Sequence, residues 1–201
     1  MFCWSRTKTR KLNLRRKVVI IGDRGCGKSC LQQAIGGEQY SDKYIGSTFD
    51  NYATEIEIDK QKFELIVVVT PAGDDYDRIR PLAYLNTDVI IICFAIDNPD
   101  SFKNLSEKWI PECNHFCPRT PIILVGNKKD LRNDKSKAEQ LVHSKEGYKM
   151  ARQIGSGVYI ECSAKTGEAH EETFSTDKWR SNRKPIDLPC LFRRYDYQMF
   201  P

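Results

Sequence analysis

Apolar residues in this chain come in short dense blocks, and the period within each block predicts its element. RKVVII (16–21) ends in a continuous apolar run over 18–21 that stops at Gly22, the pattern of a strand buried on both faces. A glycine-rich polar stretch follows, then a helix from Ser29 to Ile35. YATEIEI (52–58) alternates apolar and polar, and FELIVVV (63–69) is apolar again. A hairpin with its turn at 59–62 joins the two. DVIIICFA (88–95) and PIILVG (121–126) are too apolar for exposed strands and belong inside a sheet. Between them Phe102, Leu105, Trp109 and Ile110 recur at helical spacing over 101–117, with Ser101 placed to cap the helix. A further helix over 145–154 and a sixth strand over 157–162 complete the pattern.

Strands alternating with helices predict an α/β fold, a six-stranded, mostly parallel sheet with helices on both faces, with ligands at the carboxyl ends of its strands. Beyond Gly167 the pattern fades. Ala169, Phe174 and Trp179 are spaced by five, which draws no stripe on a helix, and Pro185 and Pro189 end any helix there. At 201 residues the chain has room for one core. The division expected is a basic arm over 1–15, a folded domain over 16–175 and a tail over 176–201.

Charge sharpens the division. The net charge is +5, and Arg6, Lys8, Arg10, Lys11, Arg15, Arg16 and Lys17 open the chain with no acid among them, which leaves the remainder mildly acidic. Lys178, Arg180, Arg183 and Lys184 form a second basic cluster. Such ends attract anionic surfaces weakly and in a salt-sensitive way. No run of eighteen apolar residues and no secretory pattern is present, so a cytoplasmic protein is expected, with at most peripheral contact at the inner face of a membrane. The eight cysteines form no CxxC pair, which is the usage of a reducing compartment. Cys113, His115 and Cys117 lie close in sequence but lack a fourth metal ligand.

GDRGCGKS (22–29) satisfies G-x-x-x-x-G-K-[ST] after a strand and before a helix. Main-chain N–H groups from Gly22, Asp23, Arg24, Gly25, Cys26, Gly27, Lys28, Ser29 and Cys30 would converge on phosphate oxygens. The Lys28 ammonium adds charge at the β and γ positions, and the Ser29 hydroxyl is a Mg²⁺ ligand. NKKD (127–130) follows the strand PIILVG directly, so it emerges at the ligand edge. A carboxylate there, from Asp130, accepts from guanine N1–H and the exocyclic amine, an arrangement adenine does not offer. Ser163, Ala164 and Lys165 follow the sixth strand at the same edge and close over the base.

On these residues the sequence resembles the Ras superfamily of small GTPases, and within it the Rho family. GDRGCGKSCL, FDNY (49–52), DDYDRIRPLAY (74–84), EKWIPE, HFCPRTPIILVGNKKDLRND and YIECSAK are similar to Rho patterns, and the likeness covers residues 16 to 175. The resemblance implies a Ras-like P-loop fold and a GTP/GDP switch with Mg²⁺. It also implies effectors and exchange factors bound through residues 44–52 and 74–84, and a role in actin regulation. By position, Tyr40 lies beside the base, Tyr44 and Ser47 belong to the first switch with Ser47 as a metal ligand, and Asn127, Lys128 and Asp130 hold guanine. A monomer is expected, with no nucleic-acid partner.

Several positions depart from the family. Where it has Asp-Thr-Ala-Gly-Gln, this chain has Val69-Thr-Pro-Ala-Gly73-Asp74. Without a gap, Val69 replaces the carboxylate of the Mg²⁺ shell, Ala72 the γ-phosphate glycine and Gly73 the water-positioning glutamine; shifted by one, Ala72 and Gly73 form the expected pair, with Gly73 a nucleotide contact, and Asp74 takes the glutamine's place. Arg24 stands where the family keeps a glycine beside the γ-phosphate. The expectation is nucleotide binding with impaired hydrolysis and no catalytic residue. Arg24 acting as its own arginine finger is the counter-reading. An interaction module working without nucleotide, a P-loop kinase or ATPase, and a poorly folding copy are the alternatives. The insertion after Asp130 is short, over 133–145, and no terminal CaaX box follows Cys190, so stable lipid anchoring is not expected.

Overall fold

In a computed structural model, residues 14–38, 40, 50–58, 61–134, 136, 140–156 and 158–167 are described. Most of the basic arm, Tyr44, Ser47, the tip of the hairpin and the chain after Gly167 lie outside them. The strands are β1 (Leu14–Gly22), β2 (Asp50–Ile58), β3 (Gln61–Val69), β4 (Val89–Ala95), β5 (Ile122–Asn127) and β6 (Val158–Cys162). They form one sheet in the order β2-β3-β1-β4-β5-β6, parallel except for β2 against β3. The hairpin is tighter than the sequence predicts. Ile58 pairs with Gln61, so Gln61 and Lys62 are strand residues rather than turn.

Alternation along β1 feeds two cores, because successive side chains point to opposite faces of a sheet. Val18 and Ile20 join Leu65, Val67, Ile91 and Val125 on the face covered by Leu31 and Ile35 of α1 (Lys28–Ile35). Val19 and Ile21 join Ile90, Ile92, Phe94 and Leu124 on the other. There they meet Leu105, Trp109 and Cys113, and Ala151 of α4 (Ser144–Gln153). No helix among the described residues is long and apolar enough to cross a membrane.

The segment over 101–117 is not the single capped helix that its spacing predicts. It comprises α2 (Pro99–Asn104), a π turn over Leu105–Trp109 and α3 (Ile110–Phe116). The cap is Asn98, whose side-chain oxygen accepts from Ser101 N–H at 3.2 Å. Ser101 itself is buried and donates its hydroxyl to Asn98 O at 2.6 Å. Pro99 explains the shift, since a proline fits the first helical position, where its missing N–H costs nothing.

Candidate nucleotide site

β1 ends at Gly22, whose φ of 140° suits only glycine and where an added Cβ would lie 2.2 Å from Cys93 O of β4. The chain therefore turns tightly against the neighbouring strand and enters α1 through Gly27, the N-cap, at a φ of 93°. Gly27 has no side chain with which to cap this helix, and no acidic residue occupies its first turn. The positive dipole end of a helix suits an anion. Lys28 is 4% exposed and closes the loop from within, donating to Gly22 O at 3.0 Å and Asp23 O at 2.8 Å. Ser29 and Cys30 follow half-buried, while Arg24 and Gly25 are exposed at the crest.

Hydrogen bonds tie the loop to its surroundings on both sides. On one side Asn127, at the end of β5, donates its amide to Cys26 O at 2.7 Å and accepts from the Cys162 thiol at 3.2 Å. Gly27 makes this approach possible, because its Cβ position is 3.1 Å from the Asn127 amide nitrogen. On the other side both carboxylate oxygens of Asp23 are held at 2.6 Å, by Trp109 Nε1–H and by the Asn104 amide. Sequence reasoning placed Asp23 in the loop but missed these two partners, since nothing in the spacing signals a π turn.

Residues 127–130 and 163–165, expected to read the base, lie together at the end of β5 and β6. Asn127 is in register with Ala95 of β4 and Cys162 of β6. Lys128 has a left-handed φ of 67° and pairs with Asp97 at 2.9 Å. The Ser163 hydroxyl donates to Asp130 Oδ1 at 2.6 Å and accepts from Thr166 N–H, which holds the carboxylate in place. Ala164 packs on the core, and Lys165 follows it. Behind them Arg132 grips both oxygens of Glu161 at 2.6 Å. Burial would raise the Glu161 carboxyl, but hydrogen bonds from Arg132, Tyr159 and Ser144 prevail and hold it below the usual range.

A model of the Ras family matches residues 17–179. The chain belongs to the Ras family. It is a small GTPase of the Ras superfamily and, in general terms, a GTP-binding switch.

Other positions singled out in the sequence are less closely knit to this site. Tyr40 is exposed. Gly73 accepts from Arg80 Nη2–H at 3.1 Å and from Tyr76 N–H, within its own segment. That segment is latched to α3. Arg80, fully buried, donates to Pro71 O, Gly73 O, Asp77 and Glu112 and lies 5.0 Å over the Trp109 ring. Lys108 pairs with Asp74 and Asp77, and Tyr84 donates to Glu112. Of the two metal donors expected, Ser29 stands at the start of α1 and Ser47 lies outside the described residues, while Val69, where the family has a carboxylate, is fully buried. Cys113 is also core, Cys117 Sγ donates to Tyr84 O, and no cluster of three His, Cys, Asp or Glu among the described residues is built to hold a metal.

Proposed function

We propose that this Ras-family chain is a Rho-like guanine-nucleotide switch that binds GTP and GDP with Mg²⁺, engages effectors through residues 44–52 and 74–84, and hydrolyses GTP slowly. The observation that carries the reading is the Asn127 amide, which joins the phosphate loop to the edge bearing Asp130 and Ser163. A loop that holds phosphates and a loop that reads the base are useful together only when their relative position is fixed, and this bond fixes it. The roles given to Gly22 through Cys30, and to Asn127, Lys128, Asp130, Ser163, Ala164 and Lys165, belong to this proposal.

Slow hydrolysis follows from chemistry. Phosphoryl transfer in this class depends on a positioned water and on charge stabilisation at the γ-phosphate, with an arginine finger supplying about 10³- to 10⁵-fold. Neither Gly73 nor Asp74 orients water as a glutamine amide does. With Val69 in place of a carboxylate the described donors fit Mg²⁺ only in part, so no step is assigned to the ion. Arg24, exposed at the crest of the loop, stands where the family keeps a glycine beside the γ-phosphate. Titration with fluorescent guanosine nucleotides is expected to show saturable uptake, and a folded sample without it refutes the reading. In single-turnover hydrolysis Arg24→Gly is expected to match or exceed the wild type; a faster wild type makes Arg24 the finger instead.

A second reading, an interaction module that works without nucleotide, draws on the buried Val69 and on the exposed apolar side chains of Ile79, Leu82 and Leu85. The nucleotide content of the purified protein separates the two. Bound GDP or GTP supports the switch, and an empty, well-folded chain supports the module.

A further inference from the structure

Asp23 lies inside the phosphate loop, and the helix that faces it carries a π turn at the point of contact. Asn104 and Trp109 are five residues apart. On a regular α-helix such residues diverge by about 140°, since each residue turns the chain by about 100°. The π turn bonds Ile110 N–H to Leu105 O, five residues back, and brings Asn104 and Trp109 towards one face. Both then reach the same carboxylate, one on each oxygen at 2.6 Å. Trp109 is fully buried, so its N–H has no solvent to turn to, and Asp23 is its partner. The main-chain oxygen of Asp23 accepts from Lys28, the side chain that faces the phosphates in the reading above.

We propose that Asn104 and Trp109 are positioning residues for nucleotide binding: together they clamp Asp23 and so hold the phosphate loop and Lys28 in the shape that grips a diphosphate. Neither touches the ligand. The inference rests on the nucleotide-binding reading, and it adds that the π turn is part of the binding device. The same indole carries Arg80 on its face, so the loop and the segment over 74–84 share one buried side chain.

The test exploits the chemistry of the pair. Asn104→Asp sets two carboxylates against each other and is expected to speed release of fluorescent GDP by about tenfold or more. Trp109→Phe keeps an aromatic ring under Arg80 but loses the donor, and about a three- to tenfold faster release is expected. The exchange Asp23→Asn with Asn104→Asp restores both bonds, because the amide at position 23 then accepts from Trp109 and donates to the carboxylate at 104. Release within about threefold of wild type is expected for it. An exchange variant as fast as Asn104→Asp alone, or an Asn104→Asp protein that is folded and releases GDP at the wild-type rate, overturns the clamp.

Should the wild type take up no nucleotide, the functional reading fails, and amide hydrogen exchange over 22–28 decides the clamp. Faster exchange in Asn104→Asp, returned by the exchange variant, upholds it; equal protection in all three overturns it.

Discussion

The loops at the carboxyl ends of β1, β5 and β6 and the segment over 69–84 border the same sheet edge, yet they have been kept in different ways. In the first region nearly every group that touches a ligand in the proposed function is present and braced: Asn127 to Cys26, Ser163 to Asp130, Lys28 to the carbonyls of its own loop. In the second the groups implied for chemistry are gone, and Val69, Ala72 and Gly73 supply no carboxylate or amide side chain. Its packing is nonetheless elaborate, with Arg80, Lys108 and Tyr84 fastened to Asp77, Asp74 and Glu112. Binding relies largely on main-chain N–H groups, which survive many side-chain changes, whereas turnover relies on a few side chains that are lost by single substitutions. In the proposed reading the contrast is therefore between a region braced to hold a ligand and a packed surface that lacks the side chains expected for turnover.

The sharpest way to break the comparison is through the latch. Arg80→Ala removes a buried guanidinium and leaves the mostly buried Glu112 without it, so a loss of about 3–5 kcal/mol is expected in denaturant unfolding. A loss under about 1 kcal/mol would mean that the segment is not held as described. On the binding side, Lys28→Ala is expected to weaken fluorescent GDP binding by about a hundredfold, the loss of charge-assisted hydrogen bonds to phosphate. Unchanged affinity would move the phosphates elsewhere.

Asp130→Ala, probed by competition between guanosine and adenosine nucleotides, is expected to reduce the preference for guanine by about tenfold or more. An unaltered ratio would show that the base is read by other groups.

The smallest effect concerns the brace behind the base. Because the Glu161 carboxyl is held below its ordinary range, its contribution to stability is complete above the unfolded-state value. It is lost as pH falls through the lower, folded-state value. Glu161→Gln is expected to cost about 1–2 kcal/mol at neutral pH and to flatten the acid limb of the stability profile. Unfolding midpoints measured from neutral to acid pH check it, and parallel curves for the two proteins would remove Glu161 from the acid response.

Much of this was legible in advance for a simple reason. Buried strands flanked by glycine and by polar tetrapeptides are local patterns, so β1, the hairpin, β4, β5 and β6 follow from periodicity, and the phosphate and guanine motifs follow from residue type and spacing. Ser101 was misread because it looks like a cap, whereas the cap is Asn98 and the serine is packed beneath it. The helix over 101–117 was read as regular because an α period and an interrupted one contain the same apolar residues.

The sequence by itself determined which groups stand at the carboxyl ends of the strands, because main-chain geometry there is dictated by glycines, by a lysine and serine opening a helix, and by strands too apolar to lie anywhere but inside. Only the tertiary structure decided what holds those groups still. Asp23 meets Asn104 and Trp109 from 81 and 86 residues away, and Arg80 meets Glu112 across 32. Contacts of that range depend on a helix register and a crossing between elements, which no local period encodes.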